Sequence, residues 1–489
     1  MSDIDLSIDR QKIIVKPDRI SRNSFWILMG LVSSSFVSFV TIFFLTRYLG
    51  PERFGTYSVA LSVAVIFLPL ADLGFDLHLT RLISAFPGSL REEISRTLSA
   101  KIFFMIGFWL LTISAAFILK YSVETIIYIS LFAASFLLGS LAQTFVGALR
   151  AIQKMKFESL SLFSGRFAGM LGVLIVIMLK GSLMALIIAH LIGSLANLAT
   201  SVIFLRSQIR VFGIRIGFAG FRERLKGALP FGLTAAFVAV YYKIDTVILS
   251  KMTSDAVVGF YNGAYNFVFA SAMLSAPLVV SMFPVLSAAF EEKREHANFV
   301  FQQGLKYSLL LGLPLGIGGV LMAEPLVKLA YGSEFAESIG ILKIMTLSVP
   351  LIFATGMIGN SMGAVGFQTR VCVVTFICMV FNIAMNLILI PRYGADGAAA
   401  TRVFTELLRV VQLWFLLKGV FQRKALSDFL RISACCLLAW GGFVLLDGVI
   451  GTWPAAVVFA LIYAFAALSL RLLVIDELKQ IMKPSEGAV

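Results

Sequence analysis

From Trp26 up to Arg47 the chain runs through twenty-one residues without a charge, and runs of that kind recur about fourteen times along the sequence. About twenty apolar residues, wound as a helix, cross the roughly 30 Å hydrocarbon layer of a bilayer. No water is available there, so each segment must close its own backbone hydrogen bonds. The expected fold class is therefore an all-α polytopic membrane protein. Function has to be sought in the polar groups that remain inside.

Composition leaves little room for anything else. Of 489 residues, 59% are hydrophobic and 14% charged, and the mean hydropathy is +0.92, far from soluble globular usage. The longest gap between apolar runs is about twenty residues, too short for a catalytic module of about a hundred residues.

The net charge of +14 would suggest nucleic acid in a soluble protein, but its placement decides otherwise. When alternate loops are assigned to alternate sides, 29 of the 41 Lys and Arg fall on one side, Lys101 and Lys306 among them. The opposite side takes only 7: Arg47, Arg53, Lys120, Lys180, Lys251, Lys328 and Arg392. Five lie within spans: Arg166, Lys243, Lys343, Arg402 and Arg409. By the positive-inside rule the basic side is cytoplasmic and carries both termini, which requires an even number of spans. The charge reports topology, and no nucleic-acid partner is expected. The first apolar run follows a charged stretch of about twenty residues without an A-x-A-like site, so it is read as a retained span. Cys372, Cys378, Cys435 and Cys436 all fall in apolar runs and are read as small core residues.

The expected spans are 24–46, 56–80, 102–119, 125–148, 158–179, 183–205, 228–250, 257–284, 307–327, 338–362, 371–390, 397–417, 432–450 and 453–472. An internal repeat divides them. Trp26 to Tyr57, ending GPERFGTY, and Pro230 to Tyr261, ending SDAVVGFY, are equally long, and each places a Gly and a Tyr at the opening of its second span. Six spans per repeat is even, so both halves start from the same side, with a pseudo-twofold axis along the membrane normal and a cavity between the bundles. The expected domains are an N-terminal six-helix lobe (1–205), a basic linker (206–227), a C-terminal six-helix lobe (228–418) and an accessory two-helix hairpin with tail (419–489). In the linker, RSQIRVFGIRIGFAGFRERLKG, cations alternate with apolar residues. That pattern suits an anionic leaflet surface and equally a solvated linker.

No G-x-x-x-x-G-K-[ST] occurs, so no P-loop is present. His78, His190 and His296 are isolated, and no Cys or His pair has metal-ligand spacing. Gly316-Ile317-Gly318-Gly319 lies in a span, where small residues permit close helix packing. One Asp or Glu at a loop would suffice for glycosyl transfer, which keeps a membrane-embedded polymerase or ligase open as the reading from another class. That reading asks for a long external loop, and none is long.

The informative residues are charges within spans, where an unpaired ion costs about 3 kcal/mol or more. Arg402, Glu406 and Arg409, spaced i, i+4, i+7, share one helical stripe. They form either a ladder tying two helices together or a cationic wall for an anionic substrate. Lys243 and Asp245 are two residues apart, about 200° around a helix. Lys243, preceded by two tyrosines, is the cavity candidate; Asp245 is a candidate ion-coupling site or a bridge to a neighbouring helix. Arg166, preceded by Ser164-Gly165, completes the substrate-binding candidates, while Lys343 lies near enough to a span end to snorkel. Asp72, Asp76 and Arg81 cluster at the inner end of the second span, as a gate or a solvated helix end. Cations outnumber anions among these groups, which points to a negatively charged substrate.

The stretch FLTRYLGPERFGTYSVALSVAVIFLPLADLGFDLHLTRLIS resembles the amino-terminal region of the polysaccharide-repeat flippases, the O-antigen and exopolysaccharide exporters of the multidrug/oligosaccharidyl-lipid/polysaccharide superfamily. ALPFGLTAAFVAVYYKIDTVILSKMTSDAVVGFYNGAYNF, YGSEFAESIGILKIMTLSVPLIF and PRYGADGAAATRVFTELLRVVQ are similar to later regions of the same family, in the same order. The resemblance implies two six-helix bundles around a cavity open to alternate sides, carrying undecaprenyl-diphosphate-linked oligosaccharide across the bacterial inner membrane. It implies no bound cofactor, coupling to H+ or Na+, and partnership with a polymerase and a chain-length regulator. Arg47, Gly50, Gly55, Tyr57 and Asp245 match the family's pattern. Within the superfamily the rivals are a peptidoglycan-precursor flippase and a cation-coupled drug exporter, though the latter would be expected to have an anionic lumen.

Overall fold

The computed structural model describes residues 17–85, 90–208, 221–292, 294–418, 420–421 and 426–472. The outermost basic residues of both termini and linker residues 209–220 lie outside the described residues. Among the described residues the chain is helical, with no strand: an all-α, multi-pass membrane protein.

The first half comprises α1 (Pro17–Phe67), α2 (Pro69–Asp72), α3 (Phe75–Ala85), α4 (Leu90–Ile118), α5 (Val123–Ala151), α6 (Met155–Met178) and α7 (Leu183–Gln208). The second comprises α8 (Phe221–Met252), α9 (Asp255–Met273), α10 (Ala276–Glu292), α11 (Arg294–Leu321), α12 (Ala323–Tyr331), α13 (Ser338–Thr346), α14 (Val349–Ala364) and α15 (Gln368–Leu416). Then come α16 (Leu426–Ile450) and α17 (Thr452–Ser469).

Eleven of the described helices are long and apolar enough to cross a membrane, or twelve if α13 and α14, bent by 42°, form one span, against the fourteen expected. The difference sits in α1 and α15. Each holds two helices that meet at a kink where the sequence suggests a loop, the kink being one glycine off helical geometry: Gly50 at φ 69°, ψ 174°, and Gly394 at φ 54°, ψ −129°. Such backbone is open to glycine alone at little cost. The expected second span is broken instead, at Leu68 and again at Leu73-Gly74, into the end of α1, α2 and α3. The α4–α5 and α6–α7 turns close alike. Lys120 and Lys180 adopt positive φ, and the next amides, of Tyr121 and Gly181, donate back to Ala116 and Val176, satisfying helix-end carbonyls.

Without a hydrophobic drive between helices in lipid, close approach depends on small residues. A Cβ on Gly193 would lie 2.7 Å from the Gly165 carbonyl, so α6 and α7 meet backbone to backbone. The Gly316–Gly319 cluster packs α11 against Pro350 and Thr346, as expected of it. The halves meet in the same manner. On α1, a Cβ at Gly55 would overlap the Asp255 carbonyl; on α9, a Cβ at Gly259 would overlap the Pro51 carbonyl. Gly55 and Gly259 are matching positions of the sequence repeat, as are Pro51 and Asp255. Reciprocal contact of this kind is what a twofold relation produces. Thr56 adds a 2.9 Å hydrogen bond to Asp255, and Phe335 fills the space beside Phe54 and Phe260. Elsewhere between the halves, Gly232 of α8 lies against the backbone of Leu73, with room for no side chain.

The hairpin α16–α17 packs on the second half, where Tyr463 donates to the Leu310 carbonyl at 2.6 Å. Cys378, Cys435 and Cys436 are buried, Cys372 is half-buried, and all four are free.

Candidate functional site

The charges of the second half converge from three directions. Helix α8 presents Tyr241, Tyr242, Lys243 and Asp245; α9 presents Tyr261 and Tyr265; the two arms of α15 bring Asn382 and Asn386, then Arg402, Glu406 and Arg409. Asp245, 1% exposed, accepts from the Tyr261 hydroxyl at 2.7 Å and from Asn386 Nδ2 at 2.6 Å. Arg402 Nη1 stands 3.8 Å from its Oδ2. Asp245, a candidate for ion coupling or for a bridge to a neighbouring helix, is thus bonded to two helices.

Arg402, also 1% exposed, has its guanidinium carbon 5.2, 4.8 and 5.0 Å from the ring centres of Tyr241, Tyr242 and Tyr265. Three aromatic faces and one carboxylate hold the charge. They do not hold all its protons: Nε and Nη1 have no hydrogen-bond partner. Glu406 is fully buried and accepts from Tyr241 at 2.5 Å and Thr355 at 3.2 Å. Among the described residues no ion pair joins it to Arg402 or Arg409. The shared stripe is therefore real but is not a ladder. Arg409, half-buried, lies 5.9 Å from the Tyr241 ring with its own Nε unpaired, and Lys243, half-buried, lies 5.2 Å from the Tyr265 ring. Three cations face two carboxylates. A cluster with surplus positive charge and unused guanidinium donors is suited to binding an oxyanion, provided the bundle opens to admit one.

Arg166 is elsewhere. It is exposed on α6, within electrostatic reach of Tyr57 and His190, and no ion pair or hydrogen bond joins it to the second-half cluster among the described residues. Lys343 is exposed on α13.

The expected Asp72–Asp76–Arg81 group is rearranged. Both carboxylates pair with Lys101 of α4, whose Nζ is 2.9 Å from Asp72 and 2.8 Å from Asp76. The same nitrogen donates to the Ser140 carbonyl at 2.8 Å and to Thr144 Oγ1 at 3.0 Å. Arg81 is exposed on α3. Lys101, counted with the loop cations from sequence, is wholly buried because α4 begins eleven residues earlier, at Leu90. Lys306 is buried too, twelve residues into α11. Among the described residues no cluster of His, Cys, Asp or Glu could hold a metal ion.

Known proteins resemble this chain in sequence and in fold. The family model described as polysaccharide biosynthesis protein matches residues 20–290, more than half of the chain, and the MatE model matches 230–388. A Shigella dysenteriae protein described as an O-antigen transporter is 23% identical over 78% of this chain and 95% of its own length. A Haloferax volcanii protein described as a low-salt glycan biosynthesis flippase is 24% identical over 40% of this chain and 39% of its own. In fold, the chain is similar to the lipid II flippase MurJ in an inward closed conformation, with a TM-score of 0.75 and 18% identity over 92% of this chain and 99% of that one. It is also similar to an inward-facing multidrug MATE transporter, with a TM-score of 0.63 and 14% identity over 84% and 98%.

Proposed function

The chain belongs to the polysaccharide biosynthesis protein family, and we propose that it is a flippase carrying polyprenyl-diphosphate-linked oligosaccharide units across the bacterial inner membrane. Its work is translocation rather than catalysis. The observation that carries the reading is Arg402, a buried cation with two donor nitrogens unused, in a cluster whose cations outnumber its carboxylates. Relatives described as O-antigen transporters and a glycan flippase support the substrate class.

In this reading the two six-helix halves rock about their shared contacts, exposing a cavity to each side in turn. Arg402 and Arg409, with Lys243 and with Arg166 from the opposite half, attract the diphosphate or acidic sugars once the second half opens toward the cavity. A guanidinium suits this because its planar fork meets phosphate oxygens in two places and stays charged when partly desolvated. Both termini are cytoplasmic, as the division of cations argues, 27 to 7 once the buried Lys101 and Lys306 are set aside, and a polymerase and chain-length regulator act on the product outside.

Reporter fusions after Val489 and in the turn near Lys251 should report opposite sides. Deletion of the protein should abolish surface polysaccharide while lipid-linked units accumulate inside. If the deletion strain instead fails to make peptidoglycan and keeps its surface polysaccharide, the cargo is the peptidoglycan precursor.

A further inference from the structure

We infer that the first half holds a binding site for a carboxylate-bearing sugar of the cargo, in which the carboxylate meets Arg166 and the Tyr57 hydroxyl while a sugar hydroxyl meets His190. The inference rests on the flippase reading and deepens it, by giving a chemical class to one unit of the oligosaccharide.

Tyr57 and Tyr261 are matching positions of the sequence repeat. In the second half the Tyr261 hydroxyl donates to Asp245 Oδ2, and Arg402 faces the same oxygen. In the first half a tyrosine and an arginine again stand within electrostatic reach of each other, Tyr57 and Arg166, but among the described residues no carboxylate bears on either. The position that matches Asp245 is Thr41, whose hydroxyl donates to the Val37 carbonyl of its own helix at 2.7 Å. Neither the Tyr57 hydroxyl nor the Arg166 guanidinium has a hydrogen-bond partner among the described residues, and the Tyr57 hydroxyl is not one of the polar atoms sealed from water. A phenol and an uncompensated guanidinium that share open space are a receptor for one carboxylate. The second half builds that carboxylate into its own chain; the first half leaves the place to a ligand.

His190 makes the anion site a sugar site. Arg166 reaches it electrostatically, and the buried Phe132 ring lies between it and Tyr57, with ring centres 5.6 and 5.1 Å away. His190 Nδ1 is bound to Ser135 Oγ at 2.8 Å, and Ser135 Oγ to Ser194 Oγ at 2.7 Å. Nε2 has no partner among the described residues and is not sealed from water. In a neutral ring, if Ser135 donates to Nδ1, then Nε2 carries the proton and donates; if Nδ1 donates to Ser135, which turns to Ser194, then Nε2 accepts. An atom able to take either role is matched by a hydroxyl, which also takes either. Phe136, half-buried with its ring centre 6.1 Å from that of His190, offers apolar surface to the ring carbons.

These groups also share a level in the membrane. Tyr57 follows the kink at Gly50, His190 the start of α7 at Leu183, and Phe132 the start of α5 at Val123, each by about 10–14 Å along its helix. All three are counted from the side that carries Arg47, Lys120 and Lys180. Arg166 lies deeper, about 18 Å from the Met178 end of α6. A bound sugar therefore lies with its carboxylate toward the membrane centre and its hydroxyls toward that side.

Saturation-transfer NMR of the full chain in lipid nanodiscs tests this, with methyl glucuronide, methyl glucoside and pyrophosphate as probes. Saturation should reach the ring protons of the glucuronide, and the glucoside should bind about tenfold more weakly. Arg166→Gln should weaken glucuronide binding about tenfold, and Tyr57→Phe and His190→Phe about fivefold each, whereas Arg402→Gln should leave it unchanged. Absence of transfer, equal binding of the two sugars, or loss with Arg402→Gln but not with Arg166→Gln would overturn the inference. Displacement of the glucuronide by an equal concentration of pyrophosphate would overturn it too, by assigning Arg166 to the diphosphate. Should Tyr57→Phe or His190→Phe not fold, Arg166→Gln, at an exposed position, decides. Export is not read, so a flippase of neutral repeat units fails this test and remains a flippase.

Discussion

Each half of the molecule buries a cation among its helices, and the two are balanced in opposite ways. Lys101 in the first half meets two carboxylates, a carbonyl and a hydroxyl, which is more than its three protons can use. Arg402 in the second half meets one carboxylate at 3.8 Å and three tyrosine faces, and leaves two nitrogens without a hydrogen bond. A buried charge that is over-satisfied holds structure together, whereas one that is under-satisfied retains capacity for a ligand. The first half has the properties of a latch and the second those of a receptor. An ammonium suits the latch as a compact point charge, and a guanidinium suits the receptor by keeping its charge when dry.

The largest effect expected from this contrast is at Lys101. Lys101→Met leaves Asp72 and Asp76 facing each other without a cation, and removal of one partner from a buried ion group costs about 3–5 kcal/mol. Membrane abundance and the thermal unfolding temperature should both fall sharply. Adding Asp76→Asn should restore part of the loss. If Lys101→Met accumulates at the wild-type level, the latch does not hold the first half.

Arg402→Gln should cost less, about 2–3 kcal/mol, because Asp245 keeps its bonds from Tyr261 and Asn386. Export of polysaccharide should fall by more than abundance does, and Arg402→Lys should rescue abundance better than export. Equal losses of both would put Arg402 with Lys101 as a structural cation and erase the distinction between the halves. Glu406→Gln is expected to be milder still, about 1 kcal/mol, since the amide oxygen can accept from Tyr241 while the amide NH2 donates to the Thr355 hydroxyl, which itself donates to the Ile352 carbonyl. A large drop in stability there would mean that the glutamate charge, and not its hydrogen bonds, holds the arginines.

How far this contrast could be read from the sequence depended on distance along the chain. The helical class, the two-part repeat and the stripe Arg402–Glu406–Arg409 are local or periodic, and the chain displays them directly. Partnerships are not. Asp72 and Asp76 stood out, but Arg81 was nearer in sequence than Lys101, which reaches them from another helix and had been placed at a span edge because a cation there reads as topology. Tyr265 and the Asn382–Asn386 pair carry no charge and gave no alarm, although two asparagines four residues apart in an apolar span are a legible polar face. At Gly50-Pro51 and Gly394 the sequence suggests loops and the structure has a kink between two helices, confined to one glycine in each case, which sequence alone does not reveal.

The smallest effect on stability, and the sharpest test of the contrast, is at Arg166. It is exposed, and no ion pair or hydrogen bond secures it among the described residues, so Arg166→Gln should change stability by less than about 0.5 kcal/mol. In the proposed reading its place in the first half makes it the cation that would meet a substrate from the side opposite Arg402. Because no ion pair or hydrogen bond holds it among the described residues, its contribution is expected to be made with cargo. Export should therefore fall severalfold at unchanged abundance, the reverse of the pattern at Lys101. The double variant Arg166→Gln, Arg402→Gln should lose little more export than the worse single variant if both contact one diphosphate, because sites that share a partner are not additive. Independent, multiplying losses would place them on separate parts of the cargo, and unchanged export from abundant Arg166→Gln would leave the second half as the sole receptor.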